Sequence, residues 1–399
     1  MEKQKVKMMN KCEAVESKFK DLFFEQPFIF RSPGRVNLIG EHTDYNLGYV
    51  LPAAIDKAIY FAITPRSDRA CNIFASDMDD EYKFSVDDLQ FTPKGWPNYL
   101  MGVVDQFIKA RYRIRGINCV FGGDIPIGAG LSSSAALEAG LAFALNTLFE
   151  LHIDDLALVQ LAQKAENEFV GVRCGIMDQY INIFGERDKA LRIDCRSLEY
   201  KYYPFVHHDV SIVLFDTCVS HSLASSKYNR RREECSEGVV VIKKCSSEVD
   251  SLRDVSVDLL ERSKPLMNPT IYRRCKYVVE ENDRVLKAGK ELEKGDLKAF
   301  GAYMNQTHEG LSRDYEVSCK ELDFLVALVK DQPQVYGSRM MGGGFGGCTI
   351  NLIENNGVEE ISNYVAEKYK QEFNIDLKTY VTSIGSGTNI ITVNEHATV

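Results

Sequence analysis

The segment "GINCVFGGDIPIGAGLSSSAALEAGLAFALNTLFEL" constrains the fold more than any other. An apolar run ends in glycines, and three serines then open a run of alanine and leucine. This pattern predicts a strand, a glycine turn and a helix whose first turn carries Ser132, Ser133 and Ser134. Serine suits a helix start because its hydroxyl can satisfy a free backbone N–H. Gly128, Ala129 and Gly130 are small enough for a ligand to approach the backbone. The helix start beyond them offers unpaired N–H groups and the positive end of its dipole, which attract anions. The segment is therefore expected to bind phosphate, with a well-capped structural helix as the plain alternative. It matches neither common nucleotide loop. No lysine follows, as G-x-x-x-x-G-K-[ST] requires, and Ser133 stands where G-x-G-x-x-G needs glycine.

The rest of the chain alternates between strand and helix signals without strict βαβ order. A helix is expected from Glu13 to Phe24. Short β-rich runs follow: "FIFRSP", "RVNLIG", "AIYFAITP" and "CNIFAS". "GWPNYLMGVVDQFIKARY" and "DDLALVQLAQKAENEF" have helical periodicity, while "ALRIDCRS" and "VSIVLFDTCV" read as strands. Beyond about Ser220 the chain is mostly helical up to Phe300, and "YGSRMMGGGFGGCTINLI" reads as strand, glycine loop, strand. The fold class is α+β. A length of 399 residues favours two domains. The expected division is an N-terminal mixed-sheet domain with helices, residues 1–200, and a C-terminal α+β domain, residues 201–399, with the site between them.

Charge and cysteine usage narrow the partners. A net charge of −9 gives no general attraction for nucleic acid or anionic membranes. No apolar run is long enough to span a bilayer, and no apolar stretch follows the basic start as a secretory leader would need. The 11 cysteines form no C-x-x-C pair, which fits reduced thiols and a cytoplasmic location.

Three further segments carry ionisable or glycine-rich patterns. In "GRVNLIGEHTDY", Val36 to Gly40 reads as a buried strand with Arg35 at one end. At the other, Glu41, His42 and Asp44 form a polar fork suited to the hydroxyls of a neutral polyol, or else a solvated loop. In "AENEFVGVRCGIMDQYINIFG", Asp178 lies among apolar residues and needs a partner, for which Arg35 is a candidate. "MGGGFGG" suggests backbone packed on a ligand, or a long hairpin turn.

Taken together these segments resemble the GHMP small-molecule kinases and, within them, the galactokinase branch. "GRVNLIGEHTDYNLGYVLPAAI", "GAGLSSSAALEAG" and "GSRMMGGGFGGCTINLI" carry the resemblance, with "CGIMDQ", "HSLASSKYNRRREEC" and "HEGLSRDYEVSCKELD" beside them. The resemblance implies ATP-dependent phosphorylation of galactose at its C1 hydroxyl. It implies Asp178 as the catalytic base or its electrostatic equivalent, oriented by Arg35. Sugar hydroxyls would be bound by Glu41, His42, Thr43, Asp44 and Tyr228, with a backbone contact at Gly175. The phosphates of ATP would lie on Gly128, Ala129, Gly130, Leu131, Ser132, Ser133 and Ser134. Ser134 and Glu166 would hold Mg²⁺, and Ser76 and Trp96 would lie on the adenine side. The family suggests a monomer acting on small molecules. An N-acetylgalactosamine kinase and a non-catalytic sugar and ATP sensor are the alternatives. Val172-Arg173, where a proline is often found, and Ala136, where serine is frequent, depart from the pattern outside these roles.

Overall fold

The computed structural model describes residues 2–126, 128–220 and 224–392. Its largest sheet has six strands, in the order Asn389–Thr392, Phe28–Asn37, Pro52–Pro65, Ile117–Gly123, Ala70–Ala75 and Asp80–Ser85. The strand Phe28–Asn37 is almost wholly buried, consistent with its apolar run and its central place. Its register against Pro52–Pro65 shifts between Pro33 and Arg35. Such a bulge turns side chains out of the regular alternation, and Arg35 sits at this one. The helix Ser133–Leu148 covers this sheet, and its Leu137, Leu141 and Leu145 share a core with Phe30 and Phe61.

A second sheet of four strands runs Val335–Met340, Gly346–Glu354, Val210–Ser220 and Lys378–Thr382. The helices Pro269–Lys294, Leu297–Glu309, Lys320–Val329 and Val358–Phe373 belong to this half. Strand and helix thus occur in both halves, as the α+β expectation has it. No helix among the described residues is long and apolar enough to cross a membrane.

The halves are interlocked. The strand Asn389–Thr392 returns to pair antiparallel with Phe28–Asn37 in the first sheet. Residue 200 begins the strand Tyr200–Pro204, which pairs with Lys189–Asp194, so a ladder crosses the expected boundary. One core cluster draws Phe30 and Leu51 together with Leu214, Phe300 and Leu352.

Two local expectations change. The first helix runs from Glu2 to Phe23 rather than starting at Glu13. The segment Val36 to Gly40 is not a strand throughout, because the strand ends at Asn37. Leu38 and Ile39 still hydrogen-bond Leu51 through their backbones, Arg339 takes the carbonyls of Asn37 and Leu38, and the chain turns away at Gly40, whose φ is +98°. Of the segment "HSLASSKYNRRREEC", residues 221–223 lie outside the described residues, as do the last residues of the chain.

Candidate active site

A cavity of about 160 Å³ collects most of the polar residues singled out above. Arg35, Glu41, His42, Asp44, Gly175, Asp178 and Tyr228 line it, together with Cys174, Met177, Gly342 and Gly343. Arg35 and the acidic loop were expected at opposite ends of a strand. The turn at Leu38–Gly40 instead folds them onto one cavity.

Asp178 stands in the first turn of the short helix Met177–Phe184. Arg35 grips it through two hydrogen bonds, Nε to Oδ1 at 2.8 Å and Nη2 to Oδ2 at 2.9 Å. Such a fork holds a carboxylate in one orientation. Arg35 is buried, while the Asp178 side chain keeps 28% of its surface open to the cavity. Arg35 Nη1 also donates to the carbonyl of Gly130, and Ser132 Oγ donates to Asp178 Oδ2. The carboxylate is thus fixed from the strand and from the glycine loop at once.

That bond corrects the capping expectation. Ser132 is the N-cap of the helix Ser133–Leu148 by position, but its hydroxyl makes no cap hydrogen bond. Its φ of +58° puts it in the left-handed region and turns the side chain toward Asp178. Gly128 and Gly130 also have positive φ, +81° and +73°. Among the described residues, no acceptor meets the backbone N–H groups from Gly130 to Ala135; the first bonded one is Ala136, to Ser132 O at 3.0 Å. A row of free N–H groups at a helix start is an anion cradle.

Beside the cradle, Ser134 Oγ lies 3.3 Å from Glu166 Oε1. Glu166 falls in a π-helical turn, Ala165–Val170, rather than in a regular helix end. Gln179 Nε2 bridges Glu166 Oε2 at 2.7 Å and Glu138 Oε2 at 3.1 Å. Burial raises the carboxyl of Glu166, with the charge of Asp178 adding to it. Burial and then Glu166 push Glu138 well above the carboxylate range. Glu138 Oε1 is buried without a partner.

The acidic loop is held from behind. Arg339, wholly buried, donates to Glu41 Oε1 at 3.1 Å, and the Gly342 N–H reaches the same oxygen at 2.8 Å. Asp44 Oδ2 packs against Gly175 so closely that a Cβ there would sit 1.7 Å away. Burial, then the charges of Asp178 and Glu41, push the Asp44 carboxyl up to about 6. His42, with φ +62°, is buried, and burial pushes its ring down to about 4, so the imidazole is neutral. Its Nδ1 meets the Tyr45 hydroxyl at 2.7 Å, while its Nε2 has no hydrogen-bond partner. The Tyr228 ring lies 5.5 Å from that of His42.

One expected sugar residue falls outside the cavity, and the two expected on the adenine side lie along another strand. Thr43 does not line the cavity; its hydroxyl shares one proton between the carbonyls of Tyr49 at 2.6 Å and Gly40 at 2.9 Å and braces the loop. Trp96 donates from Nε1 to Asp80 Oδ2 at 2.9 Å and packs its ring on Phe121. Ser76 bonds through its backbone to Phe121 and lies against Gly122. Ser76 and Trp96 thus gather at the strand Ile117–Gly123, which leads into the glycine loop. Arg339, Gln179 and Glu138 were not expected. A lone arginine in the apolar run "VYGSRMM" was their one readable signal, since a buried guanidinium must find acceptors.

Three family models match stretches of this chain. The GHMP kinases N terminal domain matches residues 98–186 and the GHMP kinases C terminal model matches 289–371. The galactokinase galactose-binding signature matches residues 17–65. A galactokinase of Roseiflexus sp. (strain RS-1) is 43% identical over 90% of this chain and 92% of its own, and one of Thermotoga maritima is 42% identical over 87% and 95%. The crystal structure of Lactococcus lactis galactokinase complexed with galactose superposes with a TM-score of 0.91 at 36% identity, covering 95% of this chain and 99% of that one. Methanococcus jannaschii mevalonate kinase, at 16% identity and a TM-score of 0.63, shares the fold. The chain has the two-part architecture of a GHMP kinase. Within that class it belongs to the galactokinase family.

Proposed function

We propose that the protein transfers the terminal phosphoryl group of ATP to the C1 hydroxyl of α-D-galactose, giving galactose 1-phosphate and ADP. The observation that carries this reading is the shared position of Asp178: Arg35 and Ser132 fix it between the sugar-sized cavity and the free N–H row. Phosphoryl transfer needs positioning and charge stabilisation more than covalent chemistry. Asp178 accepts the C1 proton or orients that hydroxyl, and Arg35 keeps the carboxylate in line and offers positive charge nearby. Glu41, His42, Asp44 and Tyr228 take the sugar hydroxyls, with Gly175 closing one wall. The N–H groups from Gly130 to Ala135 receive the phosphates, and Ser76 and Trp96 stand toward the base.

Ser134 and Glu166 are hard oxygen donors that suit Mg²⁺. The crowding of Glu138 on Glu166 is what a divalent cation held by Glu166 would relieve. Among the described residues no three acidic, His or Cys side chains form a metal cluster. Two protein ligands with phosphate and water oxygens match the habit of Mg²⁺, which when bound neutralises charge on the phosphates. The free cysteines fit a reducing, cytoplasmic setting, and the family resemblance suggests a monomer that works on small molecules.

One assay tests the reading: ATP-dependent phosphorylation of galactose, glucose, N-acetylgalactosamine and mevalonate. Galactose should win clearly. Preference for N-acetylgalactosamine would replace the substrate, and binding of ATP and galactose without transfer would make the protein a sensor.

A further inference from the structure

Two segments singled out in the sequence, "SSKYNRRREEC" and "HEGLSRDYEVSC", contribute only Tyr228 to the cavity. The structure brings them together behind the loop Glu41–Tyr45. Arg231 Nε donates to the Tyr315 carbonyl at 2.6 Å, and its Nη2 to that of Glu316 at 3.0 Å. Their polar tips form a chain: Cys235 Sγ lies 3.2 Å from Tyr315 Oη, which lies 2.8 Å from Tyr45 Oη, which lies 2.7 Å from His42 Nδ1. Cys235 and Tyr315 are buried, and so is His42. The ring of Tyr315 lies 5.0 Å from that of His42.

A hydrogen-bonded chain of this kind has two senses, and chemistry separates them. In one, His42 Nδ1–H starts the chain and the Tyr315 hydroxyl ends it on sulfur. That spends a strong phenolic donor on a weak acceptor. In the other, the weak thiol donor starts the chain, Tyr315 donates to Tyr45, and Tyr45 donates to the imidazole nitrogen. Each strong donor then meets a strong acceptor. The second sense leaves the proton of the neutral ring on Nε2, which is buried beside the Gly343 backbone without a well-formed hydrogen bond, so a sugar hydroxyl reaches it by replacing the Gly343 contact. Which ring nitrogen carries the proton is set by the bond the other one makes.

We infer that Tyr315, acting through Tyr45, is a positioning residue that fixes His42 in the Nε2–H form, so that the ring presents a hydrogen-bond donor to one sugar hydroxyl oxygen. The inference deepens the proposed galactose reading and rests on it for the identity of the ligand. It assigns the "RDYEVSC" segment a task at the sugar site although no part of it lines the cavity.

The test is Tyr315→Phe, which removes one hydroxyl and keeps the ring. ¹⁵N spectra of the imidazoles should show His42 as the Nε2–H tautomer in the parent and as a mixture in the variant; these spectra need no turnover. KM for galactose should rise roughly two- to tenfold, the worth of one hydrogen bond, with kcat and the KM for ATP within about twofold. With the series of monodeoxygalactoses, the penalty should vanish for the one sugar lacking the hydroxyl that meets His42. An unchanged tautomer, or an equal penalty for every deoxy sugar, overturns the inference. Tyr45→Phe should reproduce the tautomer mixture, and an Nε2–H ring in both variants likewise overturns it. A parent enzyme that leaves galactose unphosphorylated fails the galactose reading, whatever the tautomer shows.

Discussion

The loop Glu41–Gly48 and the loop Gly128–Ala135 face the same aspartate and are built in opposite ways. In the first, most polar groups are already engaged, His42 Nε2 being the exception. Glu281 takes the Gly40 N–H at 2.9 Å, the Tyr277 hydroxyl donates to the Glu41 carbonyl at 3.0 Å, and Asn46 Nδ2 donates to that of His42 at 2.8 Å. In the second, carbonyls are used and N–H groups are open. On the proposed function the first loop receives a sugar, which offers both donors and acceptors of modest strength, so that site gains from being rigid before binding. On the same proposal the second loop receives a polyphosphate, which brings charge and needs many donors at once, so that site keeps them free. Asp178 is where the finished half meets the unfinished one.

Removing the charge at that junction is the largest expected perturbation. Asp178→Asn keeps the shape and can still take a hydrogen bond from Arg35. Turnover should fall roughly 10²- to 10⁴-fold, the range for loss of a general base. Galactose affinity, measured by calorimetry, should change only a few-fold, because the loop Glu41–Gly48 stands without it. Turnover within tenfold of the parent would remove Asp178 from the chemistry.

The next perturbation tests the rigid half alone. In Gly175→Ala the new Cβ would fall 1.7 Å from Asp44 Oδ2, so the carboxylate must move. Hydrogen bonds to a charged group are worth about 1.5–3 kcal/mol each, and misplacing Asp44 should raise galactose KM roughly tenfold or more. The KM for ATP should hold. A parallel rise in both would mean that the two loops are not independent.

The contrast between the loops was only partly legible in the sequence. Periodicity and turn residues located strands and helices well, because burial on one face leaves a local signature. "GAGLSSSAALEAG" and "GIMDQ" stood out for the same reason: the groups in each pattern are close in the chain. What failed depended on distant partners. Arg339 meets Glu41 across 298 positions, and the strand Asn389–Thr392 pairs with the first strand of the chain. Ser132 looked like a cap because nothing local revealed that Asp178, 46 residues on, competes for its hydroxyl. Thr43 could not be told from its neighbours in "EHTDY", since one turn decides which side chains face inward. Ser76 and Trp96 rested on the family likeness alone.

Acidity offers a milder probe of the rigid half. With its carboxyl pushed up to about 6, Asp44 ionises only above that pH. Galactose KM should therefore be roughly tenfold higher at pH 5 than at pH 7. His42, pushed down to about 4, stays neutral across this range and adds nothing. The sign for stability is opposite to that of a salt-bridged acid. Between its ordinary 3.8 and about 6, Asp44 holds more proton folded than unfolded, so its contribution to stability falls as pH rises. Asp44→Asn should remove both effects, leaving a weak but pH-independent galactose KM over pH 5–7. A KM that still followed pH in that variant would assign the titration to another group.

The smallest effect separates two uses of one hydroxyl. If Ser132 were a cap, Ser132→Ala would cost the helix about 1 kcal/mol and lower Tm by a few degrees at most. Its hydroxyl instead holds Asp178, so the loss should appear in catalysis. Turnover should fall roughly two- to tenfold, while Tm shifts little and galactose KM stays put. Ser132→Gly also lacks the hydroxyl but relaxes the left-handed backbone at φ +58°. It should match Ser132→Ala in turnover and equal or exceed it in Tm. A variant that lost Tm but kept full turnover would return Ser132 to the capping role and leave Arg35 alone to orient Asp178.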